Sequence, residues 1–136
     1  MPHQLDFKIS YSYQSAKAGI SIPTLLINGN KDAECFAKID TGSEFCLFQR
    51  GVADTLELDL ESGYLLTMET LTGVFKAYGH EVTLVTLGMA FEVMVYFAAD
   101  YGLSRNLLGR NGWLQQVNLG LCDYEEMLYL SPYDEL

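Results

Sequence analysis

The stretch that decides the fold is Phe36-Ala37-Lys38-Ile39-Asp40-Thr41-Gly42-Ser43. A largely apolar run leads into a single carboxylate, and a glycine between two hydroxyl residues follows it. Glycine permits a tight turn and lets its backbone N–H approach the carboxylate closely, and the two hydroxyl groups are further hydrogen-bond donors. These residues predict either an ordinary Asp-Gly turn or a turn that presents Asp40 as a reactive acid.

Short apolar runs separated by turn residues extend on both sides of this stretch. Residues 20–27 and 33–39 flank Asn28-Gly29-Asn30, which is a strong hairpin signal. Comparable strand-like runs follow at residues 45–48, 64–70, 73–78, 81–87, 90–98, 117–121 and 127–130. The pattern predicts an all-β fold, either a sandwich or a small closed or partly open β-barrel.

Two segments have helical rather than strand-like character. Residues 51–58 predict a helical turn anchored by apolar side chains. Residues 106–116 predict one short C-terminal helix, with Ser104 as its N-cap and Trp113 packed in the core or at a subunit contact. Gly109 and Gly112 lower the helix propensity of this segment.

The composition limits the classes of partner. The chain has 136 residues, a formal charge of −10 and only 8 Lys and Arg residues. A nucleic acid or an anionic membrane surface requires clustered cations, so neither is expected as a partner. The length predicts one domain over residues 1–136, with its core at about residues 20–130.

The cysteine and histidine content argues against a metal site. Cys35, Cys46 and Cys122 do not have zinc-ligand spacing, and His3 and His80 have no ligand neighbour in sequence. We therefore expect no metal and no other cofactor. The number of cysteines is odd, and the first 20 residues lack the apolar core of a signal peptide. Both features predict a cytoplasmic protein. Cys46 has no nearby histidine to activate it, and its place in a strand predicts core packing.

The order of the motifs resembles the retropepsin-like aspartic proteases. In that family, apolar residues precede Asp-Thr-Gly-Ala/Ser, an apolar strand and a flap hairpin follow, and a Leu-Leu-Gly-Arg type segment comes last. Leu107-Leu108-Gly109-Arg110 occupies that last position here, and the resemblance covers roughly residues 20–130. It implies a retropepsin-type barrel and an aspartic endopeptidase that acts as a homodimer on peptide substrates.

The resemblance also implies roles for individual residues. Asp40 would be the catalytic carboxylate, one from each subunit, and the two would share a proton to activate water. Thr41, Gly42 and Ser43 would support it, with the Thr41 hydroxyls bonded across the dimer axis and the Gly42 N–H supporting the carboxylate. Gly109 and Arg110 would serve the fold and the dimer.

The flap candidate is the segment 64–80, with its tip at Leu71, Thr72 and Gly73. A single glycine at the tip and the acidic Glu44 after Ser43 depart from the family pattern. Two alternatives to a peptidase therefore stand. One is a catalytically silent module of the same fold that binds peptides or supports an assembly, and the other is an unrelated β-barrel with an ordinary turn. The chain termini are expected either to pair as an intersubunit sheet or to fray.

Overall fold

The computed structural model describes residues 1–14 and 19–134. Within them β-strands dominate, as the sequence predicts. The elements in chain order are β1 (Ile9–Ser12), β2 (Ser21–Asn28), β3 (Lys31–Ile39), β4 (Leu47–Phe48), α1 (Arg50–Thr55), β5 (Tyr64–Thr70), β6 (Gly73–Thr86), β7 (Met89–Ala98), β8 (Asn106–Leu108), β9 (Val117–Cys122) and β10 (Met127–Pro132).

Six strands close into a small barrel. Their order is β2-β3-β8-β4-β7-β6, and β6 pairs back onto β2 to complete the circle. Closure removes the exposed edges of the sheet. Buried side chains on the inner faces form the core, and the largest include Ile22, Leu26, Phe48, Leu56, Leu84, Phe97, Leu108 and Trp113.

The first barrel hairpin forms where the sequence predicts it. β2 and β3 pair with Asn28 opposite Lys31, so the two loop residues are Gly29 and Asn30. Gly29 has a φ of +60°. This is the left-handed region that a two-residue hairpin turn requires and that glycine adopts without steric cost.

Two pairs of neighbouring barrel strands run parallel, β3 with β8 and β4 with β7. β8 lies between β3 and β4 and runs parallel to β3, with Ile39 beside Leu108. Asn106 ties the three strands together, because its side-chain oxygen accepts from Gln49 N at 2.8 Å and its amide donates to Phe36 O at 3.2 Å. The strand that ends at Asp40 is therefore held next to the Leu-Leu-Gly-Arg segment.

The hairpin of β5 and β6 extends beyond the barrel. β6 is one strand of 14 residues and continues through Gly79 and His80, where the sequence had indicated a break. His80 is half-buried, and its Nε2 lies 2.8 Å from Leu60 O. Since a carbonyl can only accept, Nε2 donates. His80 thus anchors the base of the hairpin and is not a turn residue.

The prediction of one short helix over residues 106–116 is wrong. Asn106–Leu108 is strand β8, and only Leu114–Gln116 forms one turn of 3₁₀ helix. The backbone N–H of Asp40 donates to Leu108 O at 3.0 Å. This bond continues the pairing of β8 with β3, so the segment 106–108 belongs to the sheet. Gly112, at a φ of +99°, prevents a continuous helix.

A second, three-stranded sheet contains the chain ends in the order β1-β10-β9. β1 pairs with β10 of the same chain, with Tyr11 opposite Leu128, so these described strands are not frayed. Residues 135–136 of the predicted terminal segment lie outside the described residues. No helix in residues 1–14 and 19–134 is long and apolar enough to span a membrane.

Candidate active site

Asp40 lies directly after the last residue of β3 and is half-buried. Its backbone N–H donates to Leu108 O at 3.0 Å, and its carbonyl accepts from Ser43 N at 3.1 Å. The first bond continues the β3–β8 ladder, and the second closes the Asp-Thr-Gly-Ser turn. The backbone of this residue is therefore held at both peptide groups.

A backbone amide orients the carboxylate of Asp40. Gly42 N–H donates to Asp40 Oδ1 at 3.0 Å. A Cβ on Gly42 would lie 3.3 Å from the same oxygen, so a larger residue would crowd the carboxylate. The close approach expected of glycine in this turn is present, and one carboxylate oxygen is held in place.

The neighbouring polar side chains point elsewhere. Ser43 Oγ donates to Phe45 O at 2.7 Å, so this hydroxyl stabilises the turn and does not reach Asp40. Thr41 and Glu44 are exposed, and Glu44 contributes its carbonyl to the turn by accepting from Asn111 N at 2.8 Å. The Thr41 hydroxyl is thus accessible beside Asp40.

Gly109 lets two segments of backbone come into contact behind the Asp40 turn. A Cβ at Gly109 would lie 2.1 Å from Phe45 O and 2.7 Å from Ser43 O. The next residue, Arg110, donates its backbone N–H to Ser43 O at 2.9 Å, while its side chain is exposed. The Leu-Leu-Gly-Arg segment therefore supports the turn through its backbone.

Cys46 is buried beneath the same junction. Its sulfur accepts from Gly109 N at 3.4 Å and lies 3.4 Å from Asn111 O. Burial raises the pKa of the Cys46 thiol to about 11, although the bond from Gly109 lowers it in part. A neutral, enclosed thiol is a poor nucleophile, in agreement with the expected packing role.

The predicted flap is a two-residue hairpin with its tip at Leu71 and Thr72. Thr70 pairs with Gly73, and Gly73 has a φ of +133°. Thr70 Oγ1 donates to Gly73 O at 2.7 Å, which closes the turn. Leu71 is fully exposed, so an apolar side chain projects from the tip without any contact that would bury it.

One face of the hairpin is apolar. Residues directly opposite each other on antiparallel strands share a face, and the pairs Leu66–Ala77 and Met68–Phe75 lie on the same one. At its base, Gly79 packs so closely on Tyr96 that a Cβ would lie 2.8 Å from its ring.

Tyr96 continues this apolar surface toward the Asp40 turn. Its ring contacts that of Phe45 at 4.9 Å, and Phe45 lies in the chain directly after the turn. The apolar wall thus links the flap to the candidate acid.

A polar cavity of about 440 Å³ lies beside β3 and the residues that lead into β8. Lys38 and Arg105 contribute its charged groups, and Gln49, Ser104 and Asn106 contribute polar ones. The sequence analysis did not single out Lys38 or Arg105. They are 67 residues apart in the chain, and only the parallel β3–β8 pairing brings them together.

The chain is similar to known proteins in fold and not in sequence. No family model matches the chain, and no curated protein matches it in sequence. Among solved structures, the chain is similar to a retropepsin-like aspartic protease from Rickettsia conorii, with a TM-score of 0.65 and 18% identity over 89% of this chain and 96% of that one.

It is also similar to EIAV protease in complex with an inhibitor, with a TM-score of 0.53 and 15% identity over 71% of this chain and 86% of that one. The chain therefore has a retropepsin-like fold, as the order of its motifs predicts. The alternative of a β-barrel with a different fold is therefore wrong.

Proposed function

We propose that this chain is an aspartic endopeptidase that acts as a homodimer, with Asp40 of each subunit as the catalytic acid. One observation carries the proposal. In a fold shared with two aspartic proteases, Asp40 directly follows barrel strand β3, and its carboxylate is held by Gly42 N–H at 3.0 Å. Function is attached to such a site and not to the fold itself.

The chemistry needs two carboxylates. In a symmetric dimer, equivalent residues near the two-fold axis face each other. Two carboxyl groups about 3 Å apart cannot both ionise, so they share one proton and titrate as a pair. The ionised member takes a proton from water, and the protonated member donates to the oxygen of the scissile carbonyl. Thr41 is exposed, and in such a dimer its hydroxyl would bond across the axis.

The three-stranded sheet supports the homodimer. β9 lies at its edge, and an edge strand presents unpaired backbone groups to a second copy. Tyr133 N–H donates to Gln116 O at 2.9 Å. Because hydrogen-bonded residues alternate along an antiparallel pair, Val117, Leu119 and Leu121 direct their backbone groups outward. Leu121 is 50% exposed, which gives this edge an apolar side chain for an isologous contact.

The flap and its apolar face support a peptide substrate. A hairpin that closes over an extended chain excludes water from the reacting carbonyl. Apolar contacts to such a chain would come from the hairpin face formed by Leu66, Met68, Phe75 and Ala77. The mobile tip of the flap would consist of Leu71, Thr72 and Gly73. Gly109 and Arg110 hold the turn from behind.

The test compares Asp40→Asn with the wild type. A peptide library is digested between about pH 3 and 7, and the products are identified by mass spectrometry. Asp32→Asn is the matched control, because Asp32 is an exposed residue on the same strand and the charge change is identical. We expect cleavage by the wild type and the control alone. A dimeric wild-type protein that cleaves nothing would refute the proposal.

A silent peptide-binding module of the same fold is the second candidate. Two features favour it: the flap tip has a single glycine, and Glu44 adds an exposed carboxylate to the turn. Sedimentation velocity at micromolar concentration separates the two. A monomer contains half of the proposed site and supports the silent module, whereas a dimer with activity that depends on Asp40 supports the peptidase.

A further inference from the structure

The cavity beside Asp40 concentrates positive charge in a strongly acidic protein. The chain has 8 Lys and Arg residues against 18 Asp and Glu residues, yet Lys38 and Arg105 line one cavity of about 440 Å³ that no Asp or Glu lines. Such a placement opposes the overall field of the molecule, which repels anions.

These two cations have no carboxylate partner among the described residues. The ion pairs found there involve Lys31 with Glu57 and Arg50 with Glu61. Two like charges at one cavity repel each other, and an anion placed between them would relieve that repulsion. The site thus favours an anionic ligand on electrostatic grounds.

Two of the other polar side chains of the cavity are already engaged within the fold. Gln49 Nε2 donates to Leu103 O at 2.8 Å, and the Asn106 amide donates to Phe36 O at 3.2 Å. They form a fixed wall with few free donors. Recognition of a ligand by this cavity therefore rests mainly on Lys38 and Arg105.

The register of the strands brings one residue that lines the cavity close to the candidate acid. Asp40 directly follows β3 and continues its pairing with β8 through the bond from Asp40 N to Leu108 O, and Lys38 lies two positions before it, about 6.6 Å along the chain. Ala37 pairs with Asn106, which places Arg105, the residue directly before β8, near Phe36. A ligand side chain in the cavity would then belong to a residue close to a bond held at Asp40.

Lys38 is held in position by a close contact. A Cβ at Gly19 would lie 2.5 Å from Lys38 Cε, so the aliphatic stem of the lysine lies directly against this glycine. The packing restricts the rotamers of Lys38, a residue that lines the cavity. A restricted cation loses less entropy when it binds an anion.

We propose that the Lys38–Arg105 cavity is a substrate subsite that selects an aspartate or glutamate side chain near the cleaved bond. The inference rests on the proposed peptidase function and adds the substrate class. Charge-assisted hydrogen bonds favour the ionised carboxylate over its neutral amide by about 10- to 100-fold. Surface acids farther than about 8 Å are screened at physiological salt, and no Asp or Glu lines the cavity itself, where Lys38 and Arg105 supply the charge.

The first experiment measures specificity. The wild type digests a degenerate peptide library, and the sequences around the cleaved bonds are read by mass spectrometry. Matched peptides with Glu or Gln at the enriched position are then compared by kcat/KM. We expect about a tenfold or larger preference for Glu, and its loss in the double variant Lys38→Gln/Arg105→Gln.

Two further variants make the result specific. Lys31→Gln removes one positive charge at the far end of β3, where Lys31 is exposed, and we expect it to keep the preference. Lys38→Glu/Arg105→Glu should reverse the preference toward Lys peptides. Equal cleavage of the Glu and Gln peptides by the wild type, or equal effects of Lys31→Gln and the double Gln variant, would overturn the subsite.

A binding experiment separates this inference from the peptidase proposal. Immobilised Asp40→Asn protein is exposed to the same library, and the retained peptides are sequenced. Acidic residues should be enriched, and the enrichment should disappear when Lys38→Gln/Arg105→Gln is added. Enrichment with no cleavage by the wild type refutes the peptidase and supports the cavity. Cleavage without any acidic preference refutes the cavity and leaves the peptidase intact.

Discussion

Gly109→Ala is the substitution that tests most directly how the Asp40 turn is held. The added methyl group would lie 2.1 Å from Phe45 O and 2.7 Å from Ser43 O. Both atoms belong to the backbone, so no side-chain rotation can relieve the overlap. The two segments must move apart, and the turn between Asp40 and Phe45 must move with them.

The expected loss of stability follows from these contacts. Overpacking of a close contact costs about 1–3 kcal/mol. Separation of the segments also breaks the bonds from Arg110 N to Ser43 O and from Asn111 N to Glu44 O, at 2.9 and 2.8 Å, for about 1 kcal/mol each. We therefore expect a loss of about 3–5 kcal/mol in the free energy of unfolding, a large part of a typical total.

The measurement is equilibrium unfolding in urea, followed by circular dichroism and by Trp113 fluorescence. Gly51→Ala is the matched control. Gly51 lies in α1 with nothing within 4 Å of its added Cβ, so the change should be neutral or stabilising by up to about 1 kcal/mol. If the free energy of unfolding of Gly109→Ala lies within about 1 kcal/mol of the wild-type value, the reasoning from the close contact is refuted.

Three other expectations concern the core, a buried thiol and the flap. Trp113→Phe removes a buried bond from Trp113 Nε1 to Thr86 Oγ1 of 2.9 Å and should cost about 1–3 kcal/mol in urea unfolding, because the Thr86 hydroxyl loses its partner; a smaller loss would show that the bond is unimportant. Burial raises the pKa of Cys46 from 9.0 to about 11. The stability that the neutral Cys46 thiol contributes is therefore complete below pH 9 and is lost as the pH rises through about 11. Urea unfolding across that range would show the loss, and Cys46→Ala should make it smaller without abolishing it, because burial also raises the pKa of Cys35 to about 11. Gly73→Ala adds a methyl group in open space but at a φ of +133°, which Ala adopts only with strain, so it should lower the free energy of unfolding by about 1 kcal/mol or more. It should also lower kcat/KM, and unchanged kcat/KM would argue against a flap that moves during turnover.

Several features of the molecule were predictable because they depend on local chemistry. Alternating and apolar runs predicted most strands, and Asn28-Gly29-Asn30 predicted the first hairpin, which Gly29 makes possible through its positive φ. The Asp-Thr-Gly-Ser motif predicted a turn in which an amide supports a carboxylate, and Gly42 N–H forms that bond.

Other features depended on contacts between distant segments. Residues 106–116 have helical spacing, but Asn106–Leu108 pairs with β3 and β4 because the sheet offers these backbone groups partners that a lone helix turn cannot. The hydrogen-bond partner of Ser43 Oγ was also not predictable from the sequence, because its bond to Phe45 O depends on the conformation of the turn.

By itself, the sequence determined most of the strands and turns, and it identified the lone acid that directly follows β3. These properties follow from side-chain periodicity and backbone preference within a few positions. The tertiary structure decided what surrounds that acid: Gly109 behind the turn, Tyr96 on the apolar wall, and Lys38 with Arg105 in one cavity. The physical reason is that strand order and register are set by closure of the barrel, which minimises unpaired backbone and exposed apolar surface over the whole chain.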